Sequence, residues 1–456
     1  MQFRSTNSSE SSEIQGPLVS FKDAVLHCLP PDGGLYVPDS AMDIRQLFLY
    51  MDEEIIFSDL VAAVAPSLLE GGFNPLSASR VAESAFNFEP ELIRLDDDYS
   101  LLNLCNGPTG IYKDFGIAFL AAMLEELHKD SHPALVLAAA LADTGVSTAY
   151  ALSGRKGIST ILVHPAESAA LPVTLPAAGP GSEIDPATLP AAIVSNSGSV
   201  ISVQVQGTFA DCQRLVNQTI SDRAFANRCH ITSANTINPG RLLPQAFYYL
   251  YAFIKIKKRL TGGLAFSIPC GNFGNFISGL YAWKFGMPVN GFIAAMNANN
   301  ALGDFIKGGT FTPRPVIKTN SPALDVSIPL NFSRLESFYR ESPAVMRNIV
   351  YPASVDDELT LRTMERVWKK YHLHIDSHTA VAFAAAEQTA AKLDWKGNVH
   401  TVVLATGHYA REAELIRKAT GENVAEMLSI QQKIEPIAVI SPNLDAFKGI
   451  ITRCFQ

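Results

Sequence analysis

Basic clusters are missing from this chain. Nowhere do five or more lysines and arginines stand together, and the formal net charge is −8. Nucleic acid and anionic membrane are therefore not expected as partners. No stretch of about 18 apolar residues runs without a breaker, so no membrane span is expected. The polar opening "MQFRSTNSSESSEIQG" has no apolar signal core, which predicts a chain that is not secreted. Cysteine is sparse. The six (Cys28, Cys105, Cys212, Cys229, Cys270, Cys454) show no paired spacing. That predicts reduced thiols in a cytoplasmic protein, with neither a disulfide frame nor a metal site. There are no internal repeats, no coiled-coil heptads, no dinucleotide fingerprint and no nucleotide P-loop.

What is present is a core. Apolar residues make up 47% of the 456 residues and charged residues only 18%, a globular composition long enough for two or three domains. The first 95 or so residues read as mainly helical, over Phe21–Cys28, Ile44–Tyr50, Phe57–Val64 and Ser77–Ala85. Further on, strand-like runs at 134–142, 159–165, 263–270, 291–297 and 399–407, and one of alternating character at 200–207, are interleaved with helical stretches. Strands alternating with helices predict α/β layers around a mainly parallel sheet, with ligands beyond the carboxyl ends of the strands. The Pro/Ala/Gly-rich segment 167–192 breaks this rhythm and predicts an exposed loop of little chemical weight.

Six segments stand out. "CGNFGN" places Gly271, Asn272, Phe273, Gly274 and Asn275 between a strand and a helix, where backbone N–H groups and the helix dipole suit a phosphate. "SANTINPGR" offers Ser233, Asn238 and Arg241. Asn238 before Pro239 reads as a helix cap or as part of an anion site, and a cation in the first turn works against the dipole unless an anion faces it. Asp143 and Thr144 close the strand at "ALADTG", as caps, as ligand contacts or as both. His378 in "DSHTAV" is either structural or catalytic, and Thr406 ends the run "VVLAT". Lys113, in "NGPTGIYKDFG", lies between a Gly/Pro turn and an apolar helix. It is either paired with Asp114 or an amine made nucleophilic by its apolar setting. A lysine, a phosphate cradle and a strand-end hydroxyl form the set that holds pyridoxal phosphate.

At these residues the chain resembles the threonine synthase family. "PDGGLYVP", "NGPTGIYKDFG", "ADTG", "SANTINPGRLLPQ", "GNFGN", "NANN", "SPALDVSIPLNFSR", "SHTAV" and "ATGHYAR" follow one another in the family's order across residues 17–415. The resemblance implies two parallel-sheet α/β domains of the tryptophan-synthase-β type (fold type II) plus a mainly helical N-terminal domain. The expected boundaries are 1–95 for the N-terminal domain, 96–133 and 232–456 for the large cofactor-binding domain, and 134–231 for a smaller, mobile one. It implies pyridoxal 5'-phosphate as cofactor. Lys113 would be the Schiff-base lysine and the general base, and Gly271–Asn275 the phosphate site. Thr406 would meet the pyridine nitrogen and leave it largely unprotonated. Asp143 and Thr144 would face the substrate carboxylate. Ser233, Asn238 and Arg241 would help bind the phosphate of a small phosphorylated amino acid. The implied reaction takes O-phospho-L-homoserine and water to L-threonine and phosphate, by a cytoplasmic monomer or homodimer.

The chain departs from the family pattern near the site. Asn106 replaces a histidine, Ala140-Leu141-Ala142 replaces Thr-Ser-Gly, and Cys270 replaces threonine. Ser377 replaces proline, Tyr409 replaces proline, and Arg411 replaces lysine. Leu141 removes a hydroxyl where a carboxylate is expected and obstructs close approach to the backbone. Two alternatives therefore stand beside the family reaction. One is a phospho-lyase or amino-acid lyase releasing a 2-keto acid and ammonia; the other is a cofactor-binding protein without catalysis.

Overall fold

The computed structural model describes residues 1–8, 17–69, 73–128, 133–166, 171–175, 199–425, 428–434 and 436–455. The apolar runs form two parallel sheets. The larger has six strands in the order Val350–Ser354, Gly291–Met296, Gly263–Pro269, Val399–Ala405, Tyr99–Asn103 and Glu91–Arg94. All its pairs are parallel except the last, where Glu91–Arg94 runs antiparallel to Tyr99–Asn103. The smaller has five strands, all parallel, ordered Ile231–Ser233, Ala134–Ala139, Ile158–Pro165, Val200–Val205 and Pro436–Ile440. Their central strands are buried throughout, as continuous apolar runs require when helices cover both faces.

The alanine-rich helix Ser377–Leu393 packs against the large sheet, and its buried small residues (Ala380, Ala382, Ala384, Ala385, Ala386) let it lie close. The helix Lys113–His128 is buried from Asp114 to Leu124. Gly116 allows that burial, because a Cβ there would collide with the Arg241 carbonyl oxygen. No helix among the described residues is long and apolar enough to cross a membrane.

Several elements cross the expected domain limits. Residues 1–95 share one apolar core with the larger unit: Phe57 packs edge-on against Phe115 and Tyr251. This region also holds a three-stranded antiparallel sheet (Val19–Ser20, Gln2–Ser5, Tyr36–Pro38), and Glu91–Arg94 belongs to the large sheet. The C-terminal residues cross back. Pro436–Ile440 is an edge of the smaller sheet, and Phe447, Ile450 and Ile451 of the helix Leu444–Phe455 fill its core. Most of the segment 167–192 lies outside the described residues. Within it, Leu171–Leu175 is a strand, paired antiparallel with Leu428–Ile434, where a plain loop was expected.

Candidate active site

Both sheets direct strand ends into one cavity of about 2200 Å³ between the two units. Lys113 reaches it from the first turn of its helix. The turn before it is tied to the end of the strand Val399–Ala405: Tyr112 N–H donates to the Thr406 carbonyl at 3.1 Å, and His408 N–H donates to the Gly110 carbonyl at 2.9 Å. Gly110, at φ 71, makes that turn with the left-handed backbone that glycine supplies. Lys113 and Thr406 therefore line the same wall.

The carboxylate of Asp114 is engaged by other partners. It accepts from Thr109 N–H at 2.8 Å, Thr109 Oγ1 at 2.6 Å and Ser147 Oγ at 2.5 Å. The Lys113–Asp114 pair considered from sequence is not the arrangement found. Burial lowers the Lys113 amine below its ordinary pKa. The Asp143 charge opposes this, and Arg241 and Arg411 add to the lowering. A lowered amine pKa favours the form in which lysine acts as nucleophile and base.

Opposite stands the loop 271–275. Gly263–Pro269 delivers it and Gly274–Lys284 continues it, with Phe273 at φ 60 in the cap position. Among the described residues, no acceptor takes the backbone N–H of Gly271, Asn272, Phe273 or Gly274. A Cβ on Gly271 would collide with the Ala323 carbonyl. Asn275 is 4% exposed, and its Oδ1 accepts from Tyr248 and Tyr249 hydroxyls, both at 2.6 Å, which fixes the amide. Its Nδ2 then has no protein acceptor. Unspent donors around a helix N-terminus suit a phosphorylated ligand. With a buried amine and the Thr406 hydroxyl in the same cavity, these residues fit pyridoxal phosphate.

The third wall carries charge. Asp143 and Thr144, in the first turn of Ala142–Leu152, line the cavity with Leu141, which is 44% exposed. Arg411 donates to Asp143 and, at 3.2 Å, to the Thr109 carbonyl. Burial works to raise the Asp143 carboxyl, yet Lys113, Arg411 and His378 hold it below the usual carboxylate range. His378 is braced at both nitrogens: Nδ1 lies 2.9 Å from Asp376, and Nε2 accepts the Ala323 N–H at 3.2 Å. Burial lowers its proton affinity, but the Asp376, Glu412 and Asp143 carboxylates raise it above the ordinary value. Asp376, His378 and Glu412 bring ligand atoms within 4.8 Å of one another. Glu412 is occupied by Ser377, whose N–H and hydroxyl donate at 2.7 and 2.9 Å.

A match to the pyridoxal-phosphate dependent enzyme family spans residues 98–407. The threonine synthase of Serratia marcescens is 30% identical over 434 residues, covering 94% of this chain and 95% of that protein. The chain belongs to the threonine synthase family. The Escherichia coli threonine synthase is also 30% identical, with 94% of each chain covered. The crystal structure of the Escherichia coli enzyme superposes with a TM-score of 0.82 at 26% identity, over 99% of this chain and all of that one. The yeast threonine synthase structure shares the fold, with a TM-score of 0.80 at 23% identity, over 99% of this chain and 98% of that one.

Within this threonine synthase scaffold, Lys113, Asp143, Thr144, Gly271, Asn272, Phe273, Gly274, Asn275 and Thr406 all line the cavity. Ser233, Asn238 and Arg241 do not. Asn238 uses its amide inside the protein: Oδ1 caps Gly240 N–H at 2.8 Å, and Nδ2 donates to Ser233, Thr232 and Val25. The cap reading of Asn238 is the one its hydrogen bonds satisfy. Ser233 Oγ accepts the Asn235 N–H at 3.0 Å. Arg241 is 3% exposed, donates to the Ala234 carbonyl, and has an Nε without partner. Burial pulls its pKa down to about 10, opposed by Tyr112. Asn106 lines a separate cavity of about 590 Å³ with Glu89, Tyr251 and Lys255, so its departure from the family residue lies off the main cavity.

The sequence reading did not single out Asp376 or Glu412 as site residues. Their motif positions were visible, but spacing alone does not show that the helix start at Ser377 and the turn at Tyr409–Glu412 meet.

Proposed function

We propose that this enzyme converts O-phospho-L-homoserine and water into L-threonine and inorganic phosphate, acting on pyridoxal phosphate held by Lys113. The observation that carries this reading is the convergence, in one cavity, of a buried amine of lowered pKa, a cradle of unspent donors and a charged third wall. The cofactor supplies an electrophilic carbon and an electron sink for charge developing at the substrate's Cα.

The residues do the rest. Gly271–Asn275 bind the cofactor phosphate through backbone N–H groups and Asn275 Nδ2. Thr406 gives the ring nitrogen a neutral hydroxyl partner. Lys113 Nζ takes one proton from Cα and one from Cβ; the Cγ–O bond then breaks, phosphate leaves and a Cβ–Cγ double bond forms, after which a proton is returned to Cγ. Water then adds its hydroxyl at Cβ, a second proton returns to Cα, and the third leaves with the phosphate as hydrogen phosphate. Arg241 acts on the leaving phosphate through its buried charge, and Ser233 and Asn238 build the turn that holds it. Asp143 and Thr144 face the amino-acid end of the substrate. Six cysteines without a disulfide support a cytoplasmic setting.

Product identification tests the reading. Threonine and phosphate in equal amounts are expected when the cofactor-loaded enzyme meets O-phospho-L-homoserine. Leu141, projecting where a hydroxyl was expected, favours the second reading, a lyase; 2-oxobutyrate and ammonia would establish it. Absence of any turnover would leave the non-catalytic alternative.

A further inference from the structure

The Asp143–Arg411 pair joins the two units across the cavity. Asp143 belongs to the helix Ala142–Leu152 that follows the smaller sheet's strand Ala134–Ala139, and Arg411 to the turn after the larger sheet's Val399–Ala405. Both line the cavity, with side chains 38% and 17% exposed. Asp143 is also the carboxylate facing Lys113 and His378. Its neighbour Leu141 sits in the cap position of that helix and makes no capping hydrogen bond. The wall that meets the amino-acid end of the substrate has thus lost a hydroxyl and contains a guanidinium. A guanidinium fork matches a carboxylate in two-point geometry, as a lysine in its place would not.

We propose that Arg411 is the receptor for the substrate's α-carboxylate and that Asp143 is its resting stand-in, released when the amino acid binds. This deepens the reading of the previous section and rests on it. One carboxylate replaces another, so the guanidinium is never left without a counter-charge, which makes the exchange cheap in a partly buried site. The released Asp143 still faces Lys113, and its negative charge favours a protonated amine. Binding of substrate would thereby prepare Lys113 to carry a proton.

The test uses the cofactor-loaded enzyme and the variants Arg411→Met, Arg411→Lys and Asp143→Asn. Arg411→Met is expected to raise KM for O-phospho-L-homoserine about 10- to 100-fold, with the cofactor absorbance kept. Arg411→Lys, the conservative change, should recover part of that loss. Asp143→Asn is expected to move the other way, lowering KM while lowering kcat. A merely structural pair would not give opposite signs. If both substitutions raise KM together, or if Arg411→Met leaves KM unchanged, the proposal is wrong.

L-Homoserine carries the carboxylate but no phosphate, and its binding is read from the cofactor spectrum. An equal loss of homoserine affinity in Arg411→Met supports carboxylate recognition. Loss confined to the phosphorylated substrate would make Arg411 a phosphate receptor and overturn the proposal. Should the unmodified enzyme not turn over O-phospho-L-homoserine at all, the reaction reading fails, while the homoserine titration still decides the role of Arg411.

Discussion

In the proposed reaction the chemistry is concentrated in one amine, that of Lys113. Lys113→Met is expected to lose about 10²–10⁴-fold in rate or more and to lose borohydride-fixed cofactor, measured by turnover and by mass spectrometry of the reduced protein. The cofactor-free protein gives a second readout. Its Lys113 pKa lies below the ordinary 10.5, so the folded chain binds this proton less tightly than the unfolded chain does. The resulting cost is fully present below the lowered pKa and disappears as pH rises to about 10.5. Cofactor-free Lys113→Met should therefore be more stable than its parent at neutral pH, by a margin that shrinks in alkali, as urea unfolding across pH would show. The place of Lys113 on the cavity wall was legible only together with its companions. A lone lysine is usually salt-bridged or snorkelling, and it was the Gly/Asn loop and the strand-end hydroxyl that weighed against that reading. Asn106 was not legible. Its place in the motif was plain, but the Gly/Pro turn sends it toward Glu89 and the second cavity, and no spacing rule gives that direction.

At the scale of elements, the cradle is a strand–loop–helix unit whose shape depends on Gly271. Gly271→Ala drives a Cβ into the Ala323 carbonyl and should weaken pyridoxal phosphate binding about tenfold or more, by fluorescence titration of the cofactor-free protein. Ser377 makes a complementary case. It is the first residue of its helix, where proline is tolerated, so Ser377→Pro should leave the helix intact. The change removes both donors to Glu412 and is expected to cost about 1–3 kcal/mol in chemical denaturation. The long strands were legible from sequence because they are continuous apolar runs ended by Gly or polar residues. The short strands Ile231–Ser233 and Val350–Ser354 were not, since three to five residues carry no period, and their sheet partners alone define them.

Across the whole molecule, the thiols report on packing. Cys28, Cys105, Cys212 and Cys270 are buried, Cys229 is partly so, and Cys454 is exposed. One thiol should react quickly with a thiol reagent in the native protein and a second slowly, with all six reacting after unfolding. A reductant should leave the melting temperature unchanged. The alternation of strands and helices made parallel α/β layers legible, and the resemblance to the threonine synthase family implied their division into two sheets. The assignment of 436–455 was not legible. A short edge strand with half-buried residues reads equally well as belonging to either sheet, and only its pairing with Val200–Val205 decides.

The pairing order also sets a timetable. Four strands of the smaller sheet have been synthesised by residue 233, but the fifth, Pro436–Ile440, and the helix that fills the core beside it follow only after the whole larger sheet. The larger sheet waits as well, because Tyr99–Asn103 pairs with Val399–Ala405. Each sheet is built from strands that lie far apart along the chain, so neither is completed by one contiguous stretch, and the simple order of one domain after another is not open to it. Until both sheets are complete the nascent chain carries open strand edges, which are templates for wrong pairing.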